Sequence, residues 1–193
     1  MTPEANSSTG TLPPNLILDA CSVINLFATQ RMEEILRALP IACTVARHVA
    51  EREVLWVGRG RRDDPESDKE RVTLGTLIEA GTVGLVDLET DAEADTFVEL
   101  AARLEDGEAY SGAIAAHRGL TVVTDDEPAR KVFTSRTPAI ATIRTSDVLY
   151  RWSLEPDVKS EDIRRALRLI RERARFEPCG ADPHRPWWTT LLV

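Results

Sequence analysis

This sequence is poor in the residues on which several protein classes depend. Cysteine occurs only three times, as Cys21, Cys43 and Cys179. An odd number at those spacings suits neither a disulfide framework nor a paired zinc motif, so the thiols are expected to be buried or inert in a reducing cytosol. The three histidines, His48, His117 and His184, are scattered and read as surface residues. No apolar run approaches the roughly 18 residues of a membrane-spanning helix. The amino end, MTPEANSSTGTLPP, lacks the cationic start and apolar core of a secretory signal. Positive charge is also in deficit, with a formal net charge of -8. That balance argues against a protein that coats nucleic acid or membrane surfaces, leaves room for a local basic patch and excludes no substrate. The expected setting is the cytoplasm without membrane attachment, with residues 1–14 a disordered tail closed by Pro13 and Pro14.

What is present suits one globular core: 193 residues, 42% of them hydrophobic, at roughly 100 to 200 residues per domain. Short apolar runs at Leu16–Leu18, Ile41–Thr44, Val83–Leu88, Leu120–Thr124 and Ala139–Ile143 read as strands buried on both faces. Between them lie helical patterns: one after Asp19, then Met32–Leu39, Val45–Val57, a stretch through Leu77 closed by Gly81, and one capped by Asp91. Others begin at Glu108, after a break at Gly107, and span Glu127–Val132 and Thr145–Trp152. Ala109, Gly112, Ala113 and Ala116 give the Glu108 helix a small-residue face suited to close approach to a sheet. The alternation indicates a three-layer α/β/α sandwich with a mainly parallel central sheet over residues 15–150. Residues 151–193 form a C-terminal extension, a helix over Ser160–Arg175 followed by a tail in which Trp187 and Trp188 read as packing anchors. Its apolar stripe, Ile163, Ala166, Leu167 and Ile170, must dock on the domain or on a second copy, and a homodimer is the expected assembly. Its arginine face meets water or RNA.

Carboxylates supply the chemistry. In a parallel sheet the carboxyl ends of the strands share one edge, where α/β proteins place ligands. Asp19 follows the first strand, and Asp125 and Asp126 follow the strand Leu120–Thr124 within the segment LTVVTDDEPAR, where adjacent acids require a compensating cation. Glu108 opens a helix beside that edge. On the Val45–Val57 pattern Glu53 falls four residues after Val49 and shares its face, whereas Glu51 lies on the opposite side; Glu51 stays as the alternative to Glu53. Oxygen ligands without neighbouring His or Cys suit Mg²⁺ or Mn²⁺. The loop GRGRRDDPESD offers Arg59, Arg61 and Arg62 to a phosphate backbone, although Asp63 and Asp64 follow and a solvated loop accounts for the same residues.

The ordered motifs LILDACSVINL, a helix with an inward glutamate, DGEAYSGAIA and TVVTDDEPARKVF resemble the PIN-domain family, metal-dependent ribonucleases that include VapC-type toxins. The resemblance covers roughly residues 15–150. It implies Asp19 as first metal ligand, Glu53 or Glu51 as the helical second acid, Glu108 as the third, and Asp125 or Asp126 as the fourth. Thr124 would supply a hydroxyl that orients water, and Asp106 is a candidate outer acid with a surface role as the simpler reading. It further implies RNA as substrate, Mg²⁺ or Mn²⁺ as cofactor, and a small antitoxin protein covering the acidic pocket. The rival expectation is a PIN-like scaffold that has lost turnover. An aspartate-nucleophile phosphatase needs a second aspartate two residues after Asp19, where this chain has Cys21.

Overall fold

The computed structural model describes residues 12–53, 55–58 and 69–193. The expected tail up to residue 11 and the loop bearing Arg59, Arg61 and Arg62 lie outside the described residues. The first strand, β1 (Asn15–Leu18), is the run NLIL, whose Leu16, Ile17 and Leu18 are wholly buried. Asp19 then caps α1 (Ala20–Ala28), accepting from Ser22 N–H at 2.8 Å. Helix α2 (Met32–Ala38) stops short of Pro40.

The expected helix Val45–Val57 is corrected. Val45 and Ala46 belong instead to β2 (Ala42–Ala46), because their side chains are fully buried between β1 and a later strand. Only α3 (Arg47–Glu51) is helical, and Trp56 and Val57 enter β3 (Trp56–Gly58). β-Branched and aromatic residues satisfy either period over so short a span, and tertiary pairing decides. β3 forms a separate antiparallel hairpin with β4 (Lys69–Arg71). Then follow α4 (Gly75–Glu79), β5 (Gly84–Val86) and α5 (Asp91–Ala101), the last opened by a capping box of Thr90 and Glu93.

Helix α6 (Asp106–Arg118) begins two residues before Glu108, so Gly107 lies inside its first turn and does not break it. Gly112 faces helices and not the sheet: a Cβ there would sit 2.4 Å from Phe133 and 2.9 Å from Leu100. The helix ends at Gly119, whose left-handed φ of 63° suits glycine. The chain continues through β6 (Thr121–Val123), α7 (Glu127–Ser135), β7 (Thr142–Ile143) and α8 (Thr145–Ser153).

The sheet order is β5-β2-β1-β6-β7, and every neighbouring pair is parallel. Helices cover it in a three-layer α/β/α sandwich. Leu18 is in register with Val45 on one side and Val123 on the other. The carboxyl ends of β1 and β6 therefore adjoin at the centre of the sheet, with Asp19 N–H donating to Val123 C=O at 3.2 Å.

The C-terminal extension folds back on the same chain. Helix α9 (Ser160–Arg173) buries Ile163, Ala166, Leu167 and Ile170 and packs on α1 and β3, and α10 (Arg185–Leu192) packs on α9. Buried Arg173 donates to Ala28 C=O at the end of α1, to Gly58 C=O and to Glu70. Trp188 is the anchor, buried edge-on against Phe176, while Trp187 is half-buried. His48 and His184 are not plain surface residues, since each is half-buried in a stack, on Tyr110 and Tyr150 respectively. Among the described residues no helix is long and apolar enough to cross a membrane.

Candidate active site

The β1–β6 junction builds the centre of the site. Asp19 is 2% exposed. Besides its bond from Ser22 N–H, it accepts from the Cys21 thiol at 3.1 Å to each oxygen and from the Thr124 hydroxyl. Thr124 is wholly buried; its hydroxyl also accepts from Asp126 N–H at 3.1 Å, so it ties the two strand ends together and is engaged on both sides. The Cys21 sulfur in turn accepts from Asp125 N–H at 3.3 Å. Burial, followed by the charges of Asp19 and Asp125, pushes the thiol well above its ordinary range, so it stays protonated.

The two aspartates after β6 are used differently. Asp125 is fixed by three donors: Asn25 Nδ2 at 2.9 Å, Thr145 N–H at 3.0 Å and the Thr145 hydroxyl. About one of its four lone-pair sites stays free. Burial raises its pKa to about 6, with the Asp19 charge adding to the rise. Asp126 caps α7 with Oδ1, accepting from Ala129 N–H at 2.7 Å, and its other oxygen has no protein donor among the described residues.

Glutamates close the ring from the α3 and α6 sides. Glu108 is half-buried in the first turn of α6; burial, then the Asp126 and Asp19 charges, raises its pKa to about 7. Glu53 lies just past α3 with its carboxylate against Gly107, which donates to it, and burial followed by the Asp19 charge raises its pKa. Glu51 is exposed and paired with Arg47 at 2.8 Å, away from the cluster. Glu53 thus faces inward, though from a bend beyond the helix and not from the helical face on which the expectation rested. Asp106 is exposed and contributes only a repulsive charge near Glu53.

These five acids share one feature: among the described residues none forms a salt bridge. Each pKa rise just described grows from burial and from another member of the cluster, so the charges are mutually uncompensated. Carboxylate oxygens without imidazole, and a thiol held protonated, match a hard divalent cation in donor chemistry and in charge. Among the described residues no three His, Cys, Asp or Glu side chains are gathered closely enough to share one ion as they stand. Mg²⁺ does not require that, since it is commonly held by one or two carboxylates and retains several waters.

Sequence reasoning missed Asn25, Cys21, Thr145 and Gly107 as parts of this site. Thr145 was within reach, because it follows the strand β7 and so shares the carboxyl edge. Asn25 was not, because its role depends on α1 leaning over the end of β6. Scanned against models of protein families and against curated proteins, the sequence finds no match in either.

Proposed function

We propose that this chain is a metal-dependent endoribonuclease that hydrolyses RNA phosphodiester bonds, acting in the cytoplasm as the toxin of a toxin–antitoxin pair. The observation that carries the reading is the cluster of Asp19, Glu53, Glu108, Asp125 and Asp126 at the adjoining ends of β1 and β6, none of which forms a salt bridge among the described residues. Asp19 and Asp126 would hold a Mg²⁺ or Mn²⁺ ion that keeps several waters, with Glu108 and Glu53 reaching it through those waters. Asp125, already fixed by Asn25 and Thr145, sets the floor of the site. When bound, the ion supplies a water of lowered pKa and neutralises charge on the phosphate.

The chain's own groups do the positioning. Thr124 and Cys21 orient the Asp19 carboxylate. The α6 backbone places Glu108 in the first turn of the helix, beside Asp19 and Asp126. No side chain is required as a covalent nucleophile.

A PIN-like binding module without turnover is the second reading, favoured by the absence, among the described residues, of three ligands gathered for one ion. One experiment separates the two: wild type, Asp19→Asn and Asp126→Asn incubated with total RNA in Mg²⁺, Mn²⁺ or chelator. Cleavage confined to wild type with metal supports the nuclease. Equal cleavage by Asp19→Asn would remove the assignment, and binding without cleavage in any metal supports the module.

A further inference from the structure

We propose that Arg130 is the phosphate-gripping residue of this site, a guanidinium that holds a non-bridging oxygen of the RNA backbone at the rim of the acidic ring. The proposal rests on the nuclease reading for its substrate class. Arg130 stands on α7 one turn beyond Asp126, with Nη1 donating to Thr124 C=O at a long 3.4 Å. It lies beside Asp125, with which it interacts electrostatically.

The position of Arg130 is poorly accounted for inside the protein. Its side chain is only 20% exposed, yet its nearest paired carboxylate, Glu127, is 4.0 Å away, beyond hydrogen-bond range. The oxygen concerned, Glu127 Oε2, already accepts from Arg144 at 2.9 Å. Other partly buried arginines each reach a carboxylate within hydrogen-bond range, Arg118 to Glu93 at 2.7 Å and Arg136 to Glu99 at 3.2 Å, although Arg136 Nε is buried without a partner among the described residues. Arg130 therefore keeps most of its five N–H donors without a partner among the described residues. Burial and the neighbouring Arg144 cation disfavour its charge by more than the carboxylates of Glu127, Asp147 and Asp125 favour it.

A phosphodiester relieves each of these costs. Its paired oxygens match the guanidinium fork, and its charge compensates two adjacent cations. The geometry also answers a difficulty of the acidic ring, which repels RNA: a cation anchored on the Thr124 carbonyl meets the backbone next to the site and fixes its register. Exposed arginines on α9, such as Arg168, belong to a different surface, since that helix packs toward the far end of α1.

The test compares wild type, Arg130→Lys, Arg130→Gln and Arg168→Gln on a fluorescently labelled single-stranded RNA in Mn²⁺, with KM and kcat measured over a range of salt. Unfolding midpoints for each variant report the fold. Arg130→Gln is expected to raise KM about tenfold or more. It should also flatten the slope of log(kcat/KM) against log salt by about 0.7, the share of one single-strand phosphate contact. Arg130→Lys should recover the slope but only part of KM, and Arg168→Gln should change neither. Wild-type KM and slope in Arg130→Gln, or an equal loss in Arg168→Gln, would overturn the assignment. A structural role alone would lower the midpoint without moving the slope. Should wild type fail to cleave in Mn²⁺ or Mg²⁺, the nuclease reading falls. Binding of the same RNA is then read by anisotropy: an Arg130-dependent salt slope upholds the grip, and its absence removes that too.

Discussion

Gly107 is where one missing side chain matters most. A Cβ added there would lie 1.7 Å from Glu53 Oε1, the far end of a flexible side chain that can swing aside. Gly107→Ala should therefore leave stability unchanged or raise it by up to about 1 kcal/mol through helix propensity. It should also displace Glu53 and lower cleavage at least tenfold. A fully active Gly107→Ala would show that Glu53 has no part in the chemistry. Asp125 and Glu108 set a pH dependence of known sign. Their folded pKa values of about 6 and about 7 exceed the ordinary 3.8 and 4.5, so the native state holds extra protons between about pH 4 and pH 7. Stability of the metal-free protein should fall as pH rises through that window, by on the order of 2 kcal/mol from Asp125. Added Mg²⁺ should abolish the fall. Denaturant midpoints in chelator at about pH 5 and about pH 7.5 check this, and an unchanged or higher midpoint at the upper pH would contradict it.

At the scale of elements, the buried pair Glu93 and Arg118 joins α5 to the end of α6. Arg118 donates to both Glu93 oxygens, at 2.7 and 3.0 Å, and to Asp87 C=O. Arg118 holds the Glu93 pKa down at about 2, so the stability it brings is present above about pH 4.5 and is lost as pH falls toward 2. Glu93→Gln keeps the shape, removes the charge and weakens the capping box. It should cost about 2 to 4 kcal/mol in equilibrium unfolding, and a loss under 0.5 kcal/mol would show that the pair only breaks even. This pairing was invisible in the sequence because its partners lie 25 residues apart on separate helices. β1 and β6 were legible because buried parallel strands are unbroken apolar runs. The segment after Ala46 was not, because its apolar residues fit a helix period as well as the two short strand pieces that pairing selects. Asp19, Glu108, Asp125 and Asp126 could be placed from local pattern alone, each standing at a strand end or helix start. The donors that fix Asp125 could not, since they come from α1 and α8 through the packing of the layers.

Across the whole molecule, the apolar stripe of α9 is accounted for by α1 and β3, so the extension is part of the same core. It also braces the site from behind. Ser146 donates to Asp182 at 2.7 Å and His184 pairs with Asp147 at 2.9 Å, both beside Thr145, which holds Asp125. The central pairing of β1 with β6 has a kinetic consequence. Asp125 N–H reaches the Cys21 sulfur across 104 residues of chain, the sort of contact that waits on slow loop closure. An ion that needs both strand ends should bind only after the rate-limiting barrier is crossed. Mg²⁺ should then slow unfolding and leave the folding rate unchanged, which stopped-flow chevrons with and without the ion measure directly. A faster folding arm would mean the strand ends meet before the barrier. With the folding arm unchanged, the cation serves as a latch that delays the parting of two strands and not as a seed around which they gather.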